Sequence, residues 1–209
     1  MEAQITIEGL SPIIMHNGQT ADPLNQFSRV MKKLSGKRNK TEEDLEEMST
    51  VEWWAGLYLT EPAEIDENNT VTAPPMSRVT VGAHLLDSMI REGARKSKLG
   101  KQASAGCIVT GNGKFSYDGP ANVNDLAGKP KYAFRVPVKV STSKVMRTRP
   151  IFPVWSCVID VELDETVIEL DQIKTACEMA GKLVGIGDWR PGAPRGGYYG
   201  RFQVVKVEA

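Results

Sequence analysis

The spacing of apolar residues switches between two periods along this chain, and the order of the switches constrains the fold more than any other feature. In residues 3 to 9 (AQITIEG), Ile5 and Ile7 face one way and Gln4, Thr6 and Glu8 the other, the two-residue period of a half-buried strand. Residues 78 to 97 instead place Val79, Ala83, Leu86, Ile90 and Ala94 at helical spacing. Ser77 is the expected N-cap of that helix, and Arg91, Arg95, Lys96 and Lys98 fall on its far side and C-terminal end, where cations suit the helix dipole. AGCIVT (105–110) reads as a strand and GNGKFSYDGP as a turn-rich, hairpin-like stretch. In YAFRVPVKV, Phe134, Val136, Val138 and Val140 share one face and Arg135 and Lys139 the other; an earlier start would add Lys131 and Lys129 and make one sheet face positive. PIFPVWSCVIDVEL continues as strand, with Cys157, Ile159, Val161 and Leu163 on one parity. Asp171 then caps a helix with a core stripe of Ile173, Ala176, Cys177, Ala180 and Leu183, and RFQVVKV is a final strand. The order predicts an α+β fold with a βαββαβ core of ferredoxin-like or RNA-recognition type, an antiparallel sheet backed by two helices.

A helical insertion after the first strand is expected over residues 16 to 70. LNQFSRVMKKL can form a short basic helix, and Thr41 with Asp44 fits a capping box opening an acidic helix through about Tyr58. The segment ENNTVTAPPMS is turn-rich, with Pro74 and Pro75 forcing extended backbone. A length of 209 residues suits a single domain carrying such an excursion. No apolar run approaches the roughly 18 to 20 residues that span a bilayer, so no membrane partner is expected. The start, MEAQITIEGL, has an acid where a secretory signal would place Lys or Arg, which points to the cytoplasm. Cys107, Cys157 and Cys177 are odd in number and widely spaced, and are expected to be buried thiols rather than a disulfide framework or metal site.

Charge is balanced in total, 26 bases against 26 acids, and segregated in sequence. Residues 28 to 40 hold Arg29, Lys32, Lys33, Lys37, Arg38 and Lys40 and no acid, whereas 41 to 67 hold ten acids and no base. Residues 129 to 149 add Lys129, Lys131, Arg135, Lys139, Lys144, Arg147 and Arg149, again without an acid, and 160 to 171 turns acidic. With the arginines of 185 to 201 this makes three basic blocks, the pattern of a polyanion surface.

The most distinctive stretch is GIGDWRPGAPRGGYYGR (185–201). Six glycines alternate with Arg190, Arg195 and Arg201 and with Trp189, Tyr198 and Tyr199. Glycine lets backbone approach a phosphate, Arg supplies a charge-assisted fork and an aromatic face can stack a base, a combination suited to single-stranded nucleic acid. The alternative is a connection between helix and edge strand with its aromatics packed under the sheet. KVMRTRPIF (144–152) reads as a loop whose Lys144, Arg147 and Arg149 form a phosphate clamp. Trp53 and Trp54 follow each other on the acidic helix, so only one is expected to point inward. Catalysis finds little support: His16 and His84 stand alone, Asp188 reads as a capping or Arg-orienting acid, and no zinc ligand cluster or hydrolase motif occurs. No cofactor or metal is expected.

Two segments carry a family likeness. VTAPPMSRVTVGAHLLDSMIREGARK resembles the helix-opening segment of the RAMP superfamily, the backbone subunits of CRISPR effector complexes, and GIGDWRPGAPRGGYYGRFQV is similar to that superfamily's C-terminal glycine-rich loop. TRPIF and GDWRPG are also similar to segments of small bacteriophage proteins. The resemblance implies an RNA-recognition-type core that polymerises along a single strand, with a thumb inserted after the first strand. The expected function is noncatalytic binding of single-stranded nucleic acid, copies assembling side by side as a homo-oligomer or filament along DNA in phage replication or recombination, in the host cytoplasm. Lys32, Lys33, Lys37, Arg38, Arg135, Lys139, Lys144, Arg147, Arg149, Arg190, Arg195 and Arg201 would hold phosphates, and Trp189, Tyr198 and Tyr199 would stack bases. The alternatives are a RAMP-like RNA-binding backbone subunit and a phage module that sequesters a host protein.

Overall fold

In the computed structural model, which describes residues 1–140 and 143–209 and only the backbone of residues 140 and 143, the alternating N-terminal run is a strand, β1 (Glu2–Gly9). It is followed by β2 (Ile13–Ile14), α1 (Gln26–Ser35), α2 (Glu42–Ala55), β3 (Glu64–Ile65), β4 (Val71–Thr72) and β5 (Thr80–Val81). Then come α3 (Ala83–Lys96), α4 (Gly100–Gly106), β6 (Cys107–Val109), β7 (Gly113–Tyr117), β8 (Ala133–Val140), β9 (Ser143–Phe152), β10 (Trp155–Leu163), α5 (Leu170–Leu183) and β11 (Phe202–Glu208). The protein is a mixed α+β chain with antiparallel sheets and five α-helices among the described residues. It divides into two compact units, one of residues 1–14, 80–118 and 152–209, the other of 15–79 and 119–151. The segment expected to form a separate helical insertion, 16–70, thus shares its unit with the β8–β9 ladder.

The first unit is built on a sheet ordered β11-β1-β10-β7-β5, with β6 also pairing β10. Register sets Ile5 opposite Ile159 and Ile7 opposite Cys157, and these residues are buried on one face under α3 and α5. Leu86, Met89, Ile90 and Ala94 from α3 and Ile173, Ala176, Cys177 and Ala180 from α5 complete that core. All three cysteines are buried and free; burial raises the Cys107 thiol to about 11 and the Cys157 thiol to about 12 and pushes Cys177 up further.

Several local expectations change here. α3 begins at Ala83 rather than Arg78, because the extended backbone set by the prolines continues: Val79 bridges Leu59, and Thr60 N–H donates to the Arg78 carbonyl. Ser77 is therefore no N-cap; its hydroxyl donates to the Glu61 carbonyl at 2.7 Å, and Asn112 instead accepts the Ala83 N–H at 3.0 Å. Residues 105 and 106 end a short helix, α4, and the strand starts only at Cys107. The glycine-rich run read as a turn supplies an inner strand, β7, because Phe115 and Tyr117 join Trp155 and Phe152 in an aromatic cluster on the buried face. α5 is capped by a Glu169–Gln172 box and not by Asp171, which lies in the first turn, and Leu183 is exposed.

In the second unit the Thr41–Asp44 capping box is present, and α2 ends at Ala55. Trp53 and Trp54 are both buried, against the expectation for adjacent helical residues. The end of α2 is covered on two sides: Trp53 Nε1 donates to the Tyr132 carbonyl at 2.8 Å, while Trp54 packs beside a small cleft lined by Phe27, Leu57, Leu59 and Pro62. The two rings meet edge to face, 5.2 Å apart at 87°. Lys131 lies in a 3-10 turn over Pro130–Tyr132, and Lys129 precedes it, so neither extends the basic face of β8.

Candidate nucleic-acid interface

The glycine-rich segment 184–201 is strapped to the 10–14 loop by backbone hydrogen bonds: Asp188 N–H to the Ile14 carbonyl, Gly200 N–H to Pro12 and Leu10 N–H to Arg201, each at 2.8 Å. Ser11 closes the strap, donating to the Tyr198 carbonyl at 2.9 Å and accepting from Arg201 N–H at 3.0 Å. Gly200 is required there. Its φ is +67°, and an added Cβ would lie 1.7 Å from the Ile186 carbonyl oxygen. Two of the three rings on this frame are exposed. Trp189 is 38% and Tyr198 60% exposed, with Tyr199 half-buried between them. Trp189 meets Tyr199 at 6.4 Å and Tyr198 meets Tyr199 at 5.9 Å, both edge to face. Asp188 accepts the Trp189 N–H at 3.0 Å, and Arg190 donates to the Gly187 carbonyl at 3.2 Å. Arg190 and Arg201 are half-buried and Arg195 is exposed.

The sheet beneath is less suited to a polyanion. Side chains opposite the buried set, matched by register, give an open face of Glu2, Gln4, Thr6, Glu8, Ser156, Val158, Asp160 and Glu162, joined by Ile108, Lys114, Ser116, Gln203, Lys206 and Glu208. Five carboxylates there outnumber two ammonium groups, and no aromatic ring is among them. Lys114 beside Asp160 holds that carboxyl below its usual range.

In the second unit, KVMRTRPIF is not a loop but most of β9, paired along its length with β8. Its alternate residues Thr148, Pro150 and Phe152 are buried, a strand period that the neighbouring basic residues obscured. Register separates the cations by face: Lys139 lies opposite Lys144 on the parity of Arg135, whereas Arg147 and Arg149 lie opposite Val136 and Phe134. The positive face is thus Arg135, Lys139 and Lys144 on the β8–β9 ladder, outside the large sheet. Lys32 and Lys33 lie in the last turn of α1, and Lys37 and Arg38 just beyond it, all exposed.

Acidic α2 answers part of this charge within the chain. Glu52 Oε1 accepts from Arg147 at 2.5 Å and Oε2 from Thr148 N–H at 2.8 Å, while the Ser49 and Thr148 hydroxyls share a hydrogen bond of 2.7 Å. Lys37 pairs with Asp44. That ammonium, with the Thr41 backbone N–H, holds the Asp44 carboxyl below the usual carboxylate range. Because the folded value is depressed, the contribution of Asp44 to stability is complete above about pH 4 and is lost as pH falls through the folded value. Asp44→Asn is expected to lower the urea midpoint near neutrality, where the contribution is complete, and to converge on the parent as pH falls from about 5 to about 2, so that its own pH profile is flatter.

A cleft of ≈ 180 Å³ opens beside the Glu52–Arg147 pair, lined by His16, Asn17, Thr20, Glu52, Arg147 and Arg149 among others. Sequence reading singled out the two arginines but missed Thr20 and Glu52. No periodic signal links a loop, a helix and a strand so far apart in the chain. Among the described residues no group of three or more His, Cys, Asp or Glu could hold a metal ion, and no helix is long and apolar enough to cross a membrane. No protein-family model and no curated protein matches this chain. The site's own chemistry therefore carries the functional argument.

Proposed function

We propose that the protein binds single-stranded nucleic acid without catalysis, copies assembling side by side along the strand. The observation that carries the reading is the contiguous aromatic set Trp189, Tyr199 and Tyr198, with Trp189 and Tyr198 exposed, on a loop that also bears Arg190, Arg195 and Arg201. Aromatic platforms flanked by arginines suit unpaired bases, because every base has a face to stack and every linkage a charge to neutralise. The acidic open face argues that the strand follows this loop rather than crossing the sheet, unlike domains that stack bases on sheet aromatics.

The strand order β11-β1-β10-β7, with α3 and α5 on one face, supports a ferredoxin-like core and with it the alternative of a RAMP-like subunit carrying RNA. Competition between DNA and RNA 30-mers separates these. The central test is fluorescence polarisation against salt. Each contacted phosphate adds about 0.7 to the log–log slope for single strands, so engagement of the three loop arginines gives a slope of about 2. A flat response overturns the reading.

A further inference from the structure

We infer that a second copy of this chain docks on the acidic open sheet face, setting the lysines at the junction of α3 and α4 against Glu2, Glu8 and Glu162. The inference rests on the side-by-side assembly in the reading above and names the surfaces that meet; it takes nothing from how nucleic acid is held.

Both surfaces belong to one compact unit and lie on opposite sides of its sheet, since α3 covers the buried face. They therefore meet only between copies, never within one. On the open face, Lys114 pairs with Asp160 and Lys206 with Glu208, which leaves Glu2, Glu8 and Glu162 exposed and, among the described residues, without an ammonium partner. The register makes this costly: Glu2 lies directly opposite Glu162, and like charges so placed, with Cβ atoms about 5 Å apart, repel. A cation from outside the sheet relieves that repulsion. Ile108, opposite Glu162 on β6 and 59% exposed, adds an apolar contact beside the pair.

The answering charge stands on the helix side. Residues 83–106 contain two acids, Asp87 and Glu92, and both are taken, by Arg91 and Arg95 respectively. Lys96, Lys98 and Lys101 remain, exposed and, among the described residues, outside any ion pair. Lys98 and Lys101, with Arg95, Gln102 and Ser104, line a hollow of ≈ 710 Å³ that is open to glutamate side chains standing off a strand. Three unanswered ammonium groups thus match three unanswered carboxylates. A phosphate chain would also be drawn to these lysines, but it would leave Glu2 and Glu162 opposed; a copy of the chain answers both surfaces at once.

The test is sedimentation equilibrium of the full chain without nucleic acid, over a range of protein and salt concentrations. The parent should self-associate at low salt and dissociate as salt rises. Lys98→Glu with Lys101→Glu, and separately Glu2→Lys with Glu162→Lys, should each weaken self-association roughly 10- to 100-fold, since like charges then face each other. An equimolar mixture of the two variants should associate again, because each supplies the charge the other lacks. Unfolding midpoints guard against a folding defect: both sets of residues are exposed, and the second exchanges one like-charged pair for another. Glu162→Gln should move the two readouts apart, raising the midpoint of the dissociated chain as the repulsion with Glu2 is relieved, while association weakens. A parent that stays monomeric throughout, variants that associate like the parent, or a mixture that stays apart overturns the inference. Polarisation with 30-mers tells the two readings apart. If the chain associates as expected and no oligonucleotide binds, the docking stands and the nucleic-acid reading falls. If 30-mers bind and the chain alone stays monomeric, the docking falls and the loop reading stands. If Lys98→Glu with Lys101→Glu loses only 30-mer affinity, with self-association unchanged, these lysines hold phosphates and the docking is overturned.

Discussion

Tyr198→Ala is expected to weaken oligonucleotide binding about 5- to 150-fold, the equivalent of the roughly 1 to 3 kcal/mol that one base–aromatic stack contributes. Stability should not follow. Tyr198 is 60% exposed, and its part in the strap is made by its backbone carbonyl, which accepts from Ser11 whatever the side chain. A variant equal to the parent in binding would remove the platform on which the proposed function rests. A Tyr198→Phe control separates stacking from hydroxyl chemistry, since the ring face is retained, and it should bind within about two-fold of the parent. Equilibrium polarisation with 30-mers at fixed salt, alongside a urea midpoint, reads both quantities.

Gly200→Ala should act in the opposite way, through the fold. The left-handed backbone at this position costs an alanine about 1 to 2 kcal/mol, and the Ile186 carbonyl 1.7 Å from the new methyl adds overpacking of about 1 to 3 kcal/mol. The expected fall in melting temperature is roughly 4 to 20 °C for a chain of this length. Binding should fall with it, since relief of the clash must separate Gly200 from its bonds to Pro12 and Ile186. Gly196→Ala is the internal comparison: its φ is +61°, but nothing lies within 4 Å of the added carbon. It should show the conformational cost alone. Equal melting temperatures for the two variants would mean that the close approach at Gly200 contributes nothing.

What the sequence disclosed was the part governed by local periodicity. The alternation of Ile5 and Ile7, the parity of Cys157 to Leu163, the Thr41–Asp44 box and the Ile173 to Ala180 stripe each carry their structure in adjacent residues. The failures cluster where distant partners decide. Residues 77 to 81 have helical spacing but are held extended by Leu59, Thr60 and β7. Gly113 to Tyr117 alternate Phe115 and Tyr117 with Lys114 and Ser116, but the glycines and turn residues on either side masked this short strand, which pairs with β10 as its aromatics fill the buried face. Three cations hid the strand in 144 to 152, and the burial of both tryptophans depended on Tyr132 and Phe27, which no helical wheel could supply. The loop rings were legible as a site because their chemistry is contiguous in sequence. The cleft was half legible, since Glu52 sat in an acidic run that gave no hint of its partner 95 residues away.

The acidic open face also bears on how copies can meet. A two-fold pair stacked through it would set a face of five carboxylates and two ammonium groups against itself, a net like-charge apposition. Closed dimers through that surface are thereby disfavoured, and the side-by-side assembly proposed above would use head-to-tail contacts between unlike patches. Such contacts repeat without self-limitation, so the number of subunits in an array would be dictated by the length of whatever template they share.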